Sequence, residues 1–336
     1  MTKNILQNID FSVLDLVPVP QGKQHIEAIQ NSLDLAQHTE KYGYKRFWVS
    51  EHHNMESIVS SATVVLLGYL AQGTSSIRIG SGGVMLPNHA PLIVAEQFGT
   101  LATLYPNRID LGLGRAPGTD QLTAQALRRG KQESVQDFPN DIDELQTYFS
   151  VENQDAQVRA IPGEGLNIPM YLLGSSTFSA QLAASKGLPY AFASHFAPAQ
   201  LFNALDIYTE NYKPSAAYPT PYPMACVNVI AAETDEEAQR LATSLYQFAM
   251  GIITNTRRPL PPPIDTMEGV WTMEQEAMIK NMMYFTFIGS KETITNELSK
   301  FVESTGIKEL IVVSHIYDHQ ARLKSYEILS DIFSAE

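Results

Sequence analysis

Eight short apolar runs, separated by stretches of helical period, constrain this chain more than any other feature of its sequence. The runs occupy residues 11–16, 46–49, 77–81, 109–113, 170–173, 190–193, 224–230 and 309–313, and most are apolar throughout rather than alternating. A strand covered on one face alternates, whereas one covered on both faces reads as a continuous apolar run. The segments 26–41, 60–72, 91–104, 178–185 and 198–211 carry the 3.6-residue period of helices packed on one side. Repeated strand–helix units predict an α/β fold on a parallel sheet, and eight of them predict a (β/α)8 TIM barrel with insertion loops at its carboxyl-terminal face. An open, doubly wound sheet is the alternative, because counting periods does not distinguish closure from a reversal of strand order. The 336 residues fit one such barrel, with 1–336 as a single domain.

Apolar residues make up 44% of the chain and charged ones 18%, a folded globular balance. The net charge of −13 repels phosphate backbones, and Lys/Arg runs do not grow beyond pairs such as Arg128-Arg129 and Arg257-Arg258. Nucleic acid is therefore not an expected partner. No stretch reaches the roughly 20 apolar residues that span a bilayer, and the first residues lack a secretory pattern, so the expectation is a cytoplasmic protein without a membrane partner. Cys226, the one cysteine, lies inside the 224–230 run and reads as a buried structural thiol.

Barrel chemistry is expected just beyond each strand. Asp15 follows the first run, Ser50-Glu51-His52-His53-Asn54 the second, Gly82-Gly83 through His89 the third, and Gly112-Leu113-Gly114-Arg115 the fourth. Gly174-Ser175-Ser176-Thr177, Ser194-His195 and Ser314-His315 follow the fifth, sixth and eighth. The Glu and His residues invite a metal reading, but neighbouring strand-end side chains diverge and no HxH or HxxxH spacing offers two ligands from one face, so no metal is expected. His52 offers a proton-transfer group near neutral pH; its plainer reading is a hydrogen-bonding imidazole in a polar pocket. Gly174 to Thr177, just before a helical segment, forms an anion site or an ordinary N-cap. Arg115 would reach the same anion or make a surface ion pair. Gly82-Gly83 permits close approach to a flat ligand or makes a simple turn. Two segments break the repeat: a polar one at 114–141 and a proline-rich one at 254–269, read as an active-site lid or a surface insertion.

Taken together, Ser12 to Asp15, Trp48 to Asn54, Gly80 to Pro91, Arg108 to Asp120, Gly174 to Thr177 and Gly187 to Ala193 resemble the luciferase-like monooxygenases, in particular their uncharacterised single-component branch. The resemblance implies a barrel that binds reduced FMN, supplied by a separate NAD(P)H-dependent flavin reductase, and uses O2 to oxidise a small organic substrate. It places His52 at the family's catalytic imidazole and Gly82-Gly83 at a non-prolyl cis peptide beside the flavin ring. Arg115, Ser175, Ser176 and the backbone amide of Phe178 fall at positions that hold the FMN phosphate. Gly114 stands where the light-emitting subunit has a reactive cysteine, which argues against bioluminescence. A deazaflavin-dependent hydride-transfer enzyme and a non-catalytic flavin-binding protein are the alternatives; the scarcity of basic residues counts against the first. Segments 60–72 and 91–104 carry more apolar residues than one barrel-facing stripe needs, including Val65 and Ile93, and family members pair through this region, so a homodimer is expected.

Overall fold

All eight apolar runs become strands in the computed structural model, which describes residues 5–116, 119–128, 136–256 and 258–334. Pro117 and Gly118 of the fourth rim motif, and Arg129 and Arg257 of the basic pairs, lie outside the described residues. The strands are β1 (Asp10–Asp15), β2 (Arg46–Val49), β3 (Arg78–Ser81), β4 (Val84–Met85), β5 (Ile109–Gly114), β6 (Met170–Gly174), β7 (Tyr190–Phe192), β8 (Pro223–Ala231), β9 (Thr286–Gly289) and β10 (Glu309–Val313). The helices are α1 (His25–Lys41), α2 (Thr63–Gln72), α3 (Pro91–Leu104), α4 (Gln121–Arg128), α5 (Phe138–Phe149), α6 (Thr177–Lys186), α7 (Leu201–Glu210), α8 (Asp235–Ile253), α9 (Met273–Met282), α10 (Lys291–Thr305) and α11 (His319–Phe333).

Strands β1, β2, β3, β5, β6, β7, β8 and β10 pair in parallel, and β10 pairs back onto β1. That closure makes the sheet a barrel. β9 stands outside the ring. It pairs with Asn228 to Ala231 of β8, beyond the point where β7 stops at Ala225, so the carboxyl end of β8 outruns its barrel neighbours. Periodicity does not find β9, because four residues placed directly after a helix carry no period of their own. It also passes over α4, inside the polar 114–141 segment, and the helices from α8 onward.

Strand alternation divides the core in two. Val13, Phe47, Val49, Ile79, Leu111, Leu172 and Val312 point outward under the helices, while Leu14, Trp48, Tyr171, Met224, Cys226 and Ile311 fill the interior. Each large apolar side chain so buried contributes roughly 1.5–3 kcal/mol. Cys226 is buried, and burial pushes its thiol well above the usual range. On α2 and α3, Leu66, Leu67, Leu70, Val94, Phe98 and Leu101 face the barrel. Val65 and Leu104 are 73% and 62% exposed and share the outer surface with Tyr69 and Ile93.

The amino ends of the strands are closed by charge. Arg46, at the start of β2, lies 2.8 Å from both Asp110 of β5 and Glu309 of β10, and its guanidinium stacks on Tyr171 at 4.7 Å. Arg78 also pairs with Asp110, the Trp48 indole N–H donates to Asp110 at 3.2 Å, and Ser12 donates to Glu309. The proline-rich segment is docked as well. Fully buried Leu260 exchanges backbone hydrogen bonds with Val19 and Gln21, and Gln247 of α8 donates to the Pro262 carbonyl. Among the described residues no helix is long and apolar enough to cross a membrane.

Candidate active site

A cavity of about 450 Å³ opens at the carboxyl ends of the barrel strands, the end at which barrels place their variable loops. His52, Gly82, Gly83, Arg115, Ser175 and Ser176 all line it, so four separate strand ends bring the sequence-predicted residues into one chamber. Phe178 does not line it. Its ring instead lies 4.2 Å beneath the Arg115 guanidinium and supports that side chain.

One side of the chamber is built for an anion. α6 begins at Thr177, and Ser176 occupies the N-cap with extended backbone but without a capping hydrogen bond from its side chain. The hydroxyls of Ser179 and Tyr190 both donate to the Ser176 carbonyl, which fixes the turn and leaves the start of α6 facing the cavity mouth beside Arg115. Amides at a helix start together with a guanidinium suit a phosphate. The Gly82–Gly83 peptide next to this region is cis. A Cβ on Gly82 would lie 2.5 Å from a methyl of Leu14, and one on Gly83 would lie 2.8 Å from the Gly112 carbonyl. Backbone packing thus demands glycine at 83, whereas at 82 the contact is with a side-chain end that can shift, and both glycines line the cavity. A Cβ on Gly114 would stand 3.1 Å from the Met85 sulfur, so a larger residue there would need the Met85 side chain to shift by a few tenths of an ångström.

Glu51 organises the rim behind this surface. Its buried carboxylate accepts from His53 Nε2 at 2.9 Å, from His89 Nε2 at 2.8 Å and from the Met85 amide at 3.1 Å. Burial works to raise its pKa, but the hydrogen bonds from His53 and His89 outweigh that and hold it at about 2. Two of the imidazoles that prompted a metal reading are therefore spent on one carboxylate, while the adjacent His52 lines the cavity. Asp15, also in the strand-end list, faces away: it pairs with buried Arg322 at 2.8 Å and accepts from the amide of Val17, which holds a left-handed φ of 53°.

The chamber is also lined by His195, Asn228 and His315, with Phe248 and Ile252 of α8 and Met282 and Met283 at the end of α9. Asn228 donates 2.6 Å to the His195 carbonyl and 3.2 Å to Thr286 of β9, tying the β7 loop to the overrunning end of β8. Phe248 stacks on His315 at 5.3 Å, and Phe196 meets His195 edge-on at 4.8 Å. Burial lowers His195 to about 3, with the neighbouring His315 and His52 adding to the effect. Burial and the Arg322 charge together lower His315 to about 4. Sequence reasoning placed His195 and His315 at strand ends and weighed them only as metal ligands; it passed over Asn228, although a polar residue within a doubly covered apolar strand was a legible signal. The lid reading of 254–269 finds no support: none of its described residues lines the cavity, whereas residues at the ends of α8 and α9 do.

The luciferase-like monooxygenase profile matches residues 9–309. A protein named luciferase-like monooxygenase from Escherichia coli is 49% identical over 326 residues, 97% of each chain. Among solved structures, apo-MsnO8 is 34% identical with a TM-score of 0.87, covering 98% of this chain and 99% of its own. The oxygenating constituent of 3,6-diketocamphane monooxygenase from Pseudomonas putida, solved in complex with FMN, shares the fold at 17% identity and a TM-score of 0.72, covering 98% and 99%.

Proposed function

The chain belongs to the luciferase-like monooxygenase family, and from that premise we propose that it is an FMN-dependent monooxygenase acting on a small organic substrate. The observation that carries this reading is the division of one cavity between an anion-binding end, with Arg115 and the uncapped start of α6, and an apolar interior floored by Gly82-Gly83. Those donors fit a flavin phosphate and ring. Arg115, Ser175, Ser176 and the Phe178 amide would hold the phosphate, and the Gly82-Gly83 backbone would lie along the ring. Bound reduced FMN would supply the electrons that activate O2. His52 would hold or move a proton at its imidazole, and the apolar walls of Leu14, Leu173 and Met85 would exclude water. Arg115 is the only Lys or Arg among the described residues lining the cavity, which favours a single phosphate over the polyanionic tail of a deazaflavin.

The same proposal takes 1–336 as one working unit in the cytoplasm, served by a separate NAD(P)H-dependent reductase. It also takes the outer apolar face of α2 and α3, with Val65, Tyr69, Ile93 and Leu104, as a homodimer contact. Light scattering on the purified chain should give twice the monomer mass; a clean monomer would remove that part. The cofactor test is anaerobic titration with reduced and oxidised FMN followed by mixing with oxygen. Reduced FMN should bind, and His52→Ala should slow its oxygen-coupled turnover by roughly 100-fold or more while leaving FMN affinity within about threefold. No binding in either redox state would overturn the flavin assignment. Binding in which the reduced flavin is stable to oxygen would point to storage or hydride transfer.

A further inference from the structure

Among the oxidisable sulfurs of the chamber, that of Met85 has its place set by the barrel itself. Met85 ends β4, two residues after the cis Gly82–Gly83 peptide, and lines the cavity together with Gly114. β4 pairs with β5 so that Met85 stands opposite Gly114, and its sulfur lies 3.1 Å from where a Cβ on Gly114 would be. The missing side chain at 114 thus leaves the thioether its room in the wall, opposite the residue that precedes Arg115. The backbone of Met85 is held as well, because its amide donates to the Glu51 carboxylate at 3.1 Å. A group added to the sulfur is therefore not absorbed by retreat of the strand; it projects from the wall.

The chemistry of this sulfur differs from that of its neighbour Cys226. Cys226 also lines the chamber, but it is 4% exposed and burial pushes its thiol well above the usual range, so it does not form the thiolate that reacts with peroxide. A thioether reacts without ionising, and Met85 is partly exposed. Its sulfur lone pair attacks one oxygen of hydrogen peroxide, the O–O bond breaks as the S–O bond forms, and the second oxygen leaves with both protons as water. Sulfur loses the two electrons that peroxide gains. The product is a polar, chiral sulfoxide where an apolar, flexible thioether stood. It would stand in a wall shared with Leu14 and Leu173, and a flat ligand laid over it would cut its oxygen off from water.

We propose that Met85 is a redox-modification site: hydrogen peroxide converts its thioether to the sulfoxide, which projects into the chamber and weakens FMN binding until the sulfoxide is reduced. The modification stands on the position of the sulfur, and only the identity of the displaced ligand rests on the flavin reading.

The test treats the purified full-length protein with hydrogen peroxide, maps methionine sulfoxide by peptide mass spectrometry and titrates FMN by flavin fluorescence. Met85 should oxidise at least about tenfold faster than Met224, which is fully buried, with Met273, 89% exposed, as the measure of reagent strength. FMN affinity should fall about tenfold in step with Met85 conversion, the loss expected of one polar group buried without a partner. The two methionine sulfoxide reductases, one for each epimer, should restore it. FMN at about ten times its Kd should slow oxidation of Met85 about tenfold and leave that of Met273 unchanged. In Met85→Leu, affinities before and after the same treatment should differ by less than about twofold. Protection and reversal are read on the wild type, so they decide the matter even if that variant does not fold. Oxidation of Met85 no faster than that of Met224, an affinity loss that tracks Met273 or persists in Met85→Leu, or conversion of Met85 with affinity unchanged would overturn the proposal. If the untreated protein binds no FMN, the flavin reading fails, and the ratio of Met85 to Met224 oxidation alone decides whether the modification site stands.

Discussion

At the amino end of the barrel, Arg46 lies between Asp110 and Glu309 with an opposite charge at 2.8 Å on either side. At the carboxyl end, His195 and His315 sit in an equally dry setting with ring nitrogens that face no partner among the described residues. Both ends bury polar groups in the interior of the same ring of strands, yet only one supplies the complement from its own chain. The first arrangement closes the barrel floor. The second buries imidazole nitrogens that no described residue engages, at the end of the strands where the cavity opens. Stability is thus concentrated at one end of the strands and recognition at the other.

This contrast can be broken most directly at the floor. Arg46→Ala strands two buried carboxylates and should cost about 3–5 kcal/mol, read as a fall in the denaturation midpoint. A loss under about 1 kcal/mol would mean that water reaches the floor and that the two ends do not differ. Next in size is the phosphate end, where Arg115→Ala should weaken FMN binding by about thirtyfold, near 2 kcal/mol, and leave the melting temperature unchanged; a melting shift without an affinity change would make Arg115 structural.

Glu51 lies between these cases, near the cavity but paired like the floor. Its folded pKa of about 2 lies below the ordinary 4.5, so its stabilisation is complete above about pH 4.5 and is lost as pH falls toward 2. Glu51→Gln should remove about 1–2 kcal/mol at neutral pH and flatten the acid limb of the stability profile between those values. The smallest effect is expected at the cavity end. His315→Leu removes a buried, unpartnered polar ring and should change stability by less than about 1 kcal/mol in either direction. A loss as large as that of Arg46→Ala would show that His315 is a structural residue after all.

Much of this was legible in the residues. The eight apolar runs, the barrel and the rim positions of His52, Gly82, Gly83, Arg115, Ser175 and Ser176 came from pattern and resemblance, because a doubly covered parallel strand has a composition of its own and its end is marked by the first polar residues after it. Glu51 and Asp15 show where that reading stops. Both are acidic residues at strand ends, and nothing in their spacing separates the one that gathers His53, His89 and the Met85 amide from the one that pairs with Arg322, 307 residues away in sequence.

The sequence alone therefore determined the strand–helix repeat, the family likeness and which side chains stand at the rim, since all of these are local properties of short segments. Only the tertiary structure decided that the ring closes through β10 and β1, that residues of α8 and α9 rather than described ones of the proline-rich segment line the cavity, and that two histidines bury ring nitrogens that no described residue engages. Partnership depends on which distant residues arrive within about 3 Å, and that distance is set by packing between elements, which no short stretch of sequence encodes.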